Sequence, residues 1–272
     1  HDLGRARDVP ACALAALDIA LWDLRARAEG LPLYHLLKTA KPRAPTSITL
    51  GIGSPEMARE RVPQLLASGG IKMLKVKLGA RDGIDADQAM FAQVIESTRD
   101  RDVKLRVDAN GGWSVGDARA MMKWLAARGV EYVEQPLAQG AEAELPALYR
   151  DRPLPIFVDE SCRFADDIAT FADAVDGVNI KLMKCGGITG ALRIIEEAKA
   201  RGLQTMIGCM RESSLSISAA AALGGAIDHI DLDSHLNLDP DPCRGARLID
   251  GVITPNEQPG HGAEIIADDN GQ

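Results

Sequence analysis

The segment 71–79, IKMLKVKLG, reads as a β-strand, yet it sets two ammonium groups, Lys75 and Lys77, on one face. Alternate residues of a strand point to opposite sides, so Ile71, Met73, Lys75 and Lys77 share a face and Lys72, Leu74, Val76 and Leu78 the other. Like charges at that spacing repel, and burial strengthens the repulsion. Negative groups must stand opposite them. Asp108 in VKLRVDA (103–109), Glu134 in GVEYVE (129–134) and Asp159 in LPIFVDE (154–160) each end a strand-like run, 26 and 25 residues apart, and so converge on one spot. Three carboxylates brought together raise one another's pKa unless a cation joins them. An all-oxygen set with room for water and substrate suits Mg²⁺, whereas Zn²⁺ would favour His or Cys. Lys75 and Lys77 come one strand before these acids and Lys181, in GVNIKLM (177–183), one strand after them. Amines on two flanks of a metal invite removal of a proton from one face of a carbon and delivery to the other. A free lysine, with a pKa of about 10.4, is a poor base at neutral pH. A neighbouring cation, a second lysine and partial burial are the means of making it one.

The elements that must position these groups alternate along the chain. Strand-like runs occur at 46–52, 71–79, 103–109, 129–134, 154–160, 177–183, 204–208 and 229–233. Between them lie helix-like segments such as SPEMARERVPQLLAS, IDADQAMFAQVIEST, VGDARAMMKWLAARG, ADDIATFADAV, ITGALRIIEEAKARG and SSLSISAAAALGG. Eight strands separated by helices, about 25 residues apart, predict a closed parallel (β/α) barrel. Residues 236–262 are rich in Pro, Gly and Asp, and no helix is expected after the eighth strand. A doubly wound open sheet would usually carry a Gly-rich first βα turn, which is missing. KCGGITGA (184–191) could hold an anion at a helix N-terminus, a weak signal for a dinucleotide.

The face test applied to the other strands gives one rule. Leu105, Val107 and Ala109 oppose Lys104, Arg106, Asp108 and Asn110; Val133 opposes Tyr132 and Glu134; Ile156 and Val158 oppose Phe157 and Asp159. Val178, Ile180 and Leu182 oppose Asn179, Lys181 and Met183, and Ile230 and Leu232 oppose His229, Asp231 and Asp233. The apolar faces suit a helix layer, and the charged faces then look into the barrel. The charges gather at the C-terminal strand ends, where barrel enzymes place their sites. A single such residue is commonly a solvated loop-edge charge; the repetition over six strands favours a site. Arg106 is expected to pair with a carboxylate below that site.

The bulk properties agree. The chain has 272 residues, 46% of them hydrophobic, enough for one large barrel or two small domains with a sizeable core. A net charge of −8 without a basic run argues against a nucleic-acid partner. No apolar run approaches the roughly 20 residues that cross a bilayer. Five scattered cysteines without CxxC spacing suit a reduced cytoplasm. The chain opens on His1 and enters PACALAALDIALWDLRARAEG (10–30) almost at once, with Pro10 at a plausible first helical position and Leu14, Leu17, Leu21 and Leu24 on one stripe. It reads as the middle of a longer protein.

The ordered set KVK (75–77), DAN (108–110), EQP (134–136), DES (159–161) and NIKLMKCGG (179–187) resembles the enolase superfamily, specifically its muconate-lactonizing-enzyme-like subgroup, over nearly the whole chain. The resemblance implies a modified TIM barrel, (β/α)7β, at 45–250. It also implies the tail of an N-terminal α+β capping domain at 1–44, with most of that domain missing, and a C-terminal segment at 251–272. It further implies Mg²⁺ on Asp108, Glu134 and Asp159, acid/base roles for Lys77 and Lys181, and Lys75 tuning Lys77. DLD at the eighth strand is similar to the dipeptide epimerases of the L-Ala-D/L-Glu type, in which such a pair receives a substrate ammonium. Asp231 and Asp233 would do so here, with Thr49 lining the site. GCMRESS (208–214) resembles their seventh-strand segment, although Arg211 departs from it. The implied protein is a cytoplasmic, homo-oligomeric isomerase acting on a dipeptide. The alternatives are an N-acylamino-acid racemase, a cycloisomerase or an o-succinylbenzoate synthase with the same site, a Schiff-base aldolase using Lys181, and a barrel that binds ligand without turnover.

Overall fold

The computed structural model describes residues 1–67 and 70–266. All eight expected strands are present: β1 Ser47–Leu50, β2 Met73–Lys77, β3 Lys104–Asp108, β4 Val130–Glu134, β5 Ile156–Val158, β6 Gly177–Ile180, β7 Gln204–Gly208 and β8 His229–Asp231. They hydrogen-bond in sequence order. Thr46, just before β1, bridges in parallel to Ile230 of β8, so the eighth strand returns to the start of the first. This is the strand topology of an eight-stranded parallel barrel. The chain divides into two units, 47–179 with 197–205, and 1–46 with 180–196 and 206–272.

In the first unit the outward strand residues Leu74, Val76, Val107, Val133, Ile156, Val158 and Val178 are fully buried, as a β-branched face beneath helices requires. The helices Pro55–Leu65 and Val115–Ala126 start where the sequence supplies an acceptor. Ser54 Oγ accepts from Met57 N at 3.3 Å, and Ser114 Oγ accepts from Asp117 N at 3.1 Å. At the N-terminal end of the strands Arg106, 4% exposed, donates to Glu131 Oε2 and Ser47 Oγ, both at 3.0 Å, and its guanidinium lies 5.3 Å from the Tyr132 ring centre. Burial pushes the Glu131 carboxyl up, but Lys104 and Arg106 outweigh it and hold it below its usual range. The expectation that Arg106 pairs with a carboxylate is met by Glu131.

Several local expectations are corrected. The segment 165–175 is not an α-helix but two 3₁₀ turns, Ala165–Thr170 and Ala172–Ala174. Across the two turns the buried residues Ile168, Phe171 and Ala174 repeat every three positions, the period of a three-residue turn. The helix between β4 and β5, for which no segment was named from sequence, is the short stretch Leu145–Tyr149. β6 stops at Ile180, and Leu182–Cys185 forms a single helical turn that Gly186 ends at φ 78°. The helix SPEMARERVPQLLAS covers Pro55–Leu65, and its expected last residue, Ser68, lies outside the described residues, as does the end of the 251–272 segment.

In the second unit the helix Ala11–Ala28 buries only Leu14 of the four leucines placed on one stripe and leaves Leu17, Leu21 and Leu24 57–64% exposed. Pro10 precedes the helix as its N-cap rather than starting it. The buried face carries Leu14, Ala15, Asp18 and Ile19, because Asp18 is drawn to the start of the helix Ile188–Ala200. Its carboxylate accepts from Thr189 N at 2.9 Å and Thr189 Oγ1 at 2.6 Å. A Cβ on Gly187 would lie 2.5 Å from Asp18 Oδ2, so only glycine permits that approach. The helix N-terminus offered for an anion is thereby filled by a side chain of the protein itself. After β8 there is no α-helix among the described residues, only a 3₁₀ turn Ser234–Asn237 and short antiparallel pairs. No helix of the described residues is long and apolar enough to cross a membrane.

His235 and His261 are both buried in this unit. Burial holds the pKa of each below the usual value, against the pull of Asp241 on the first and Asp23 on the second. Below pH about 6.5 the unfolded chain takes up these protons while the folded chain resists, so the stability present above that pH is lost as pH falls. Urea unfolding should give a lower midpoint at pH 5.5 than at pH 7.5, and His235→Leu should shrink the difference. An unchanged pH slope in that variant would refute the assignment.

Candidate active site

The strand register builds the first unit's site. Lys77 pairs with Asp108 across β2 and β3, and Asp108 with Glu134 across β3 and β4, so the three stand side by side at the C-terminal strand ends. Glu134 pairs with Phe157, and Asp159 follows β5 two residues further on. Asp108, Glu134 and Asp159 are essentially fully buried, and each offers a carboxylate oxygen within 4.8 Å of the others. The convergence expected from the 26- and 25-residue spacing is present.

Asp108 and Glu134 are each held by an amide and a lysine. Asp108 Oδ1 accepts from Asn110 N, and Oδ2 from Asn110 Nδ2, both at 2.9 Å; Lys77 Nζ donates to Oδ2 at 3.1 Å. Glu134 Oε1 accepts from Asn179 Nδ2 at 2.6 Å, and Lys75 Nζ stands 3.5 Å from Oε2. Lys77 thus stands against Asp108 and Lys75 against Glu134. The two lysines differ: the Lys75 side chain is 3% exposed and the Lys77 side chain 33%. Lys75 therefore serves the interior, while Lys77 can meet a small molecule. Thr49 pairs with Lys75 and is the one part-exposed residue of β1.

Four residues complete the cluster that were read from sequence only as face or motif residues. Asn110 and Asn179 orient two of the acids. Gln135, 2% exposed and at φ 37°, accepts from Asp159 N at 2.8 Å and donates to Leu137 O at 2.8 Å and Ser161 Oγ at 2.9 Å. Ser161 in turn donates to Glu142 Oε1 at 2.6 Å. The EQP and DES motifs thus brace each other, and their value as a signal lay in being adjacent to acids at strand ends.

Lys181, Asp231 and Asp233 belong to the second unit and are all buried. Lys181 directly follows β6, Asp231 ends β8 and Asp233 lies two residues beyond. Asp233 precedes the 3₁₀ turn Ser234–Asn237, and its side chain makes no capping bond there. Cys209, after β7, has its Sγ 3.4 Å from Asp231 O and 3.7 Å from Asp233 Oδ1. Burial, then Asp233, Asp231 and Glu212, push its thiol up to about 12. Trp113 is buried, and its Nε1 donates to Asp87 Oδ2 at 2.9 Å.

The three acids form a buried, all-oxygen donor set without His or Cys, and this fits a hard divalent cation such as Mg²⁺.

Residues 57–269 match the enolase C-terminal domain-like family, and residues 3–38 match the mandelate racemase / muconate lactonizing enzyme N-terminal domain. The chain belongs to the mandelate racemase / muconate lactonizing enzyme family of the enolase superfamily, whose catalytic domain is a modified TIM barrel. It is 61% identical over 265 residues to a hydrophobic dipeptide epimerase of Flavobacteria bacterium (strain MS024-2A), which covers 97% of this chain and 76% of that protein. It is 62% identical over 260 residues to a hydrophobic dipeptide epimerase of Roseobacter litoralis, covering 96% and 75%. The crystal structure of the dipeptide epimerase from Cytophaga hutchinsonii, complexed with Mg and the dipeptide D-Ala-L-Val, superposes with a TM-score of 0.88 at 32% identity, over 96% of this chain and 72% of that one.

A cation bound only by the folded state stabilises it by about 2.7 kcal/mol at one hundred times its Kd. Titration with Mg²⁺ should raise the thermal midpoint of the wild type, and Glu134→Gln or Asp159→Asn should abolish the rise without lowering the midpoint measured in EDTA. A rise that persists in both variants would place the ion elsewhere.

Proposed function

We propose that the chain is a Mg²⁺-dependent dipeptide epimerase that inverts the α-carbon of the second residue by a 1,1-proton transfer between Lys77 and Lys181. The observation that carries this reading is the buried carboxylate triad beside the part-exposed Lys77, in a chain three-fifths identical to proteins named for this activity. The hydrophobic class in those names is the substrate class we assign.

Inversion needs two proton carriers, because a single base returns the proton to the face it came from. Lys77 is assigned to one face of the α-carbon and Lys181 to the other. One lysine takes the α-proton, the dipeptide passes through an enediolate, and the other lysine, already protonated, delivers its proton to the opposite face. Bound Mg²⁺, held by Asp108, Glu134 and Asp159, supplies the positive charge that acidifies the α-carbon. Asp231 and Asp233 receive the substrate ammonium; Lys75 and Thr49 line the site below Lys77. Substrates without a free ammonium, as for an N-acylamino-acid racemase, a cycloisomerase or an o-succinylbenzoate synthase, leave those two acids without a use. The five cysteines are all free thiols, which supports a reducing, cytoplasmic setting, and we expect a homo-oligomer.

Incubation with Mg²⁺ and a dipeptide library in D₂O, read by mass, tests the substrate. Deuterium should enter only the second residue of free-amino dipeptides, and exchange confined to N-acylated amino acids would overturn the assignment. Lys77→Ala and Lys181→Ala should each lower epimerisation at least a thousandfold, while each retains α-deuteration of one epimer only. Full epimerisation by either variant would rule out the two-lysine scheme.

A further inference from the structure

We propose that Asp87 is a positioning residue for the proton transfer, its buried carboxylate clamping the loops after β2 and β3 so that Lys77 is held at its working distance from Asp108. The inference rests on the reading of Lys77 as one of the two proton carriers. Asp87 lies in the first turn of the helix Ile84–Thr98 and is 2% exposed. Its carboxylate accepts four contacts from three N–H groups. Gly79 N reaches both oxygens at 3.0 Å, Ala80 N reaches Oδ1 at 3.0 Å, and Trp113 Nε1 reaches Oδ2 at 2.9 Å. No Lys, Arg or His forms an ion pair with it among the described residues. A buried carboxylate without a cation is costly, and it persists where oriented N–H groups and a helix N-terminus replace water.

The donors lie on the two loops that matter. Gly79 is two residues after Lys77, and Trp113 five after Asp108. Gly79, at φ 90°, packs so closely on the β3 loop that a Cβ there would stand 2.2 Å from Ala109 O, and a Cβ on Gly112 would stand 2.5 Å from Gly79 Cα. Leu78 N, between Lys77 and Gly79, donates to Asp108 O at 2.7 Å. Two glycines permit the contact, and a single carboxylate fastens it. Two of the three donors follow Lys77, so loosening the clamp acts chiefly on that lysine. Asparagine in its place keeps the shape but turns an NH₂ group on an N–H donor.

The test measures α-deuteration of each epimer separately in D₂O for the wild type, Lys77→Ala and Asp87→Asn. Asp87→Asn should slow exchange at least tenfold for the epimer that Lys77→Ala silences and less than threefold for the other, with KM for the dipeptide changed by less than threefold. A merely structural role would lower both epimers together, and parallel loss, or no loss, overturns the proposal. Trp113→Phe removes one donor and keeps the carboxylate; about a threefold loss on the same epimer is expected, and it decides the matter if Asp87→Asn does not fold. Amide hydrogen exchange at Gly79 and Ala80 should speed up in Asp87→Asn, and unchanged protection there refutes the clamp. A wild type that exchanges no dipeptide would sink the functional reading instead, while the amide measurement still judges Asp87.

Discussion

Three carboxylates forced within 4.8 Å of one another inside the protein are the constraint on which the first unit is built. Buried like charges repel strongly, and losing their water adds several kcal/mol per ion. The structure answers with two lysines and two asparagine amides rather than by spreading the acids apart. That answer works only if β2, β3 and β4 end at one level, which the Lys77–Asp108–Glu134 register secures. The β-branched outer faces of these strands, the Arg106–Glu131 pair at their other end and the Gln135 brace all serve to keep that level.

Much of this was legible in the sequence because a strand has only two sides. A charge on the side opposite Val107, Val133 or Val158 must point away from the helix layer, and its place at the strand end puts it with its neighbours. The inward charges followed from that rule, and the eight strands from the alternation of strand-like and helix-like runs. Asp87 did not, since an acid in the first turn of a helix looks the same whether it meets water or two loops. Gln135 stayed hidden because its role depends on a backbone at positive φ, which no side-chain pattern announces. The leucines of the helix Ala11–Ala28 misled, because a periodic stripe names a face without naming what covers it. Here a polar contact, Asp18 to Thr189, turned the helix instead.

The second unit manages its acids differently. Asp231 and Asp233 have a thiol beside them, and the thiol stays protonated because those same acids and burial oppose its ionisation. Cys209 therefore contributes packing and a weak S–H donor without adding a negative charge of its own.

The division of the chain has a consequence for how such proteins diverge. The acids, their asparagines and Lys77 are all encoded between residues 47 and 179, whereas the Asp-x-Asp pair and Cys209 come from the last third of the chain. On the reading proposed above, in which Asp231 and Asp233 receive the substrate ammonium, mutational drift in that last third can retune which molecule is accepted while leaving Asp108, Glu134 and Asp159 intact. Lineages descended from one ancestor can in this way exchange diets without reinventing their chemistry.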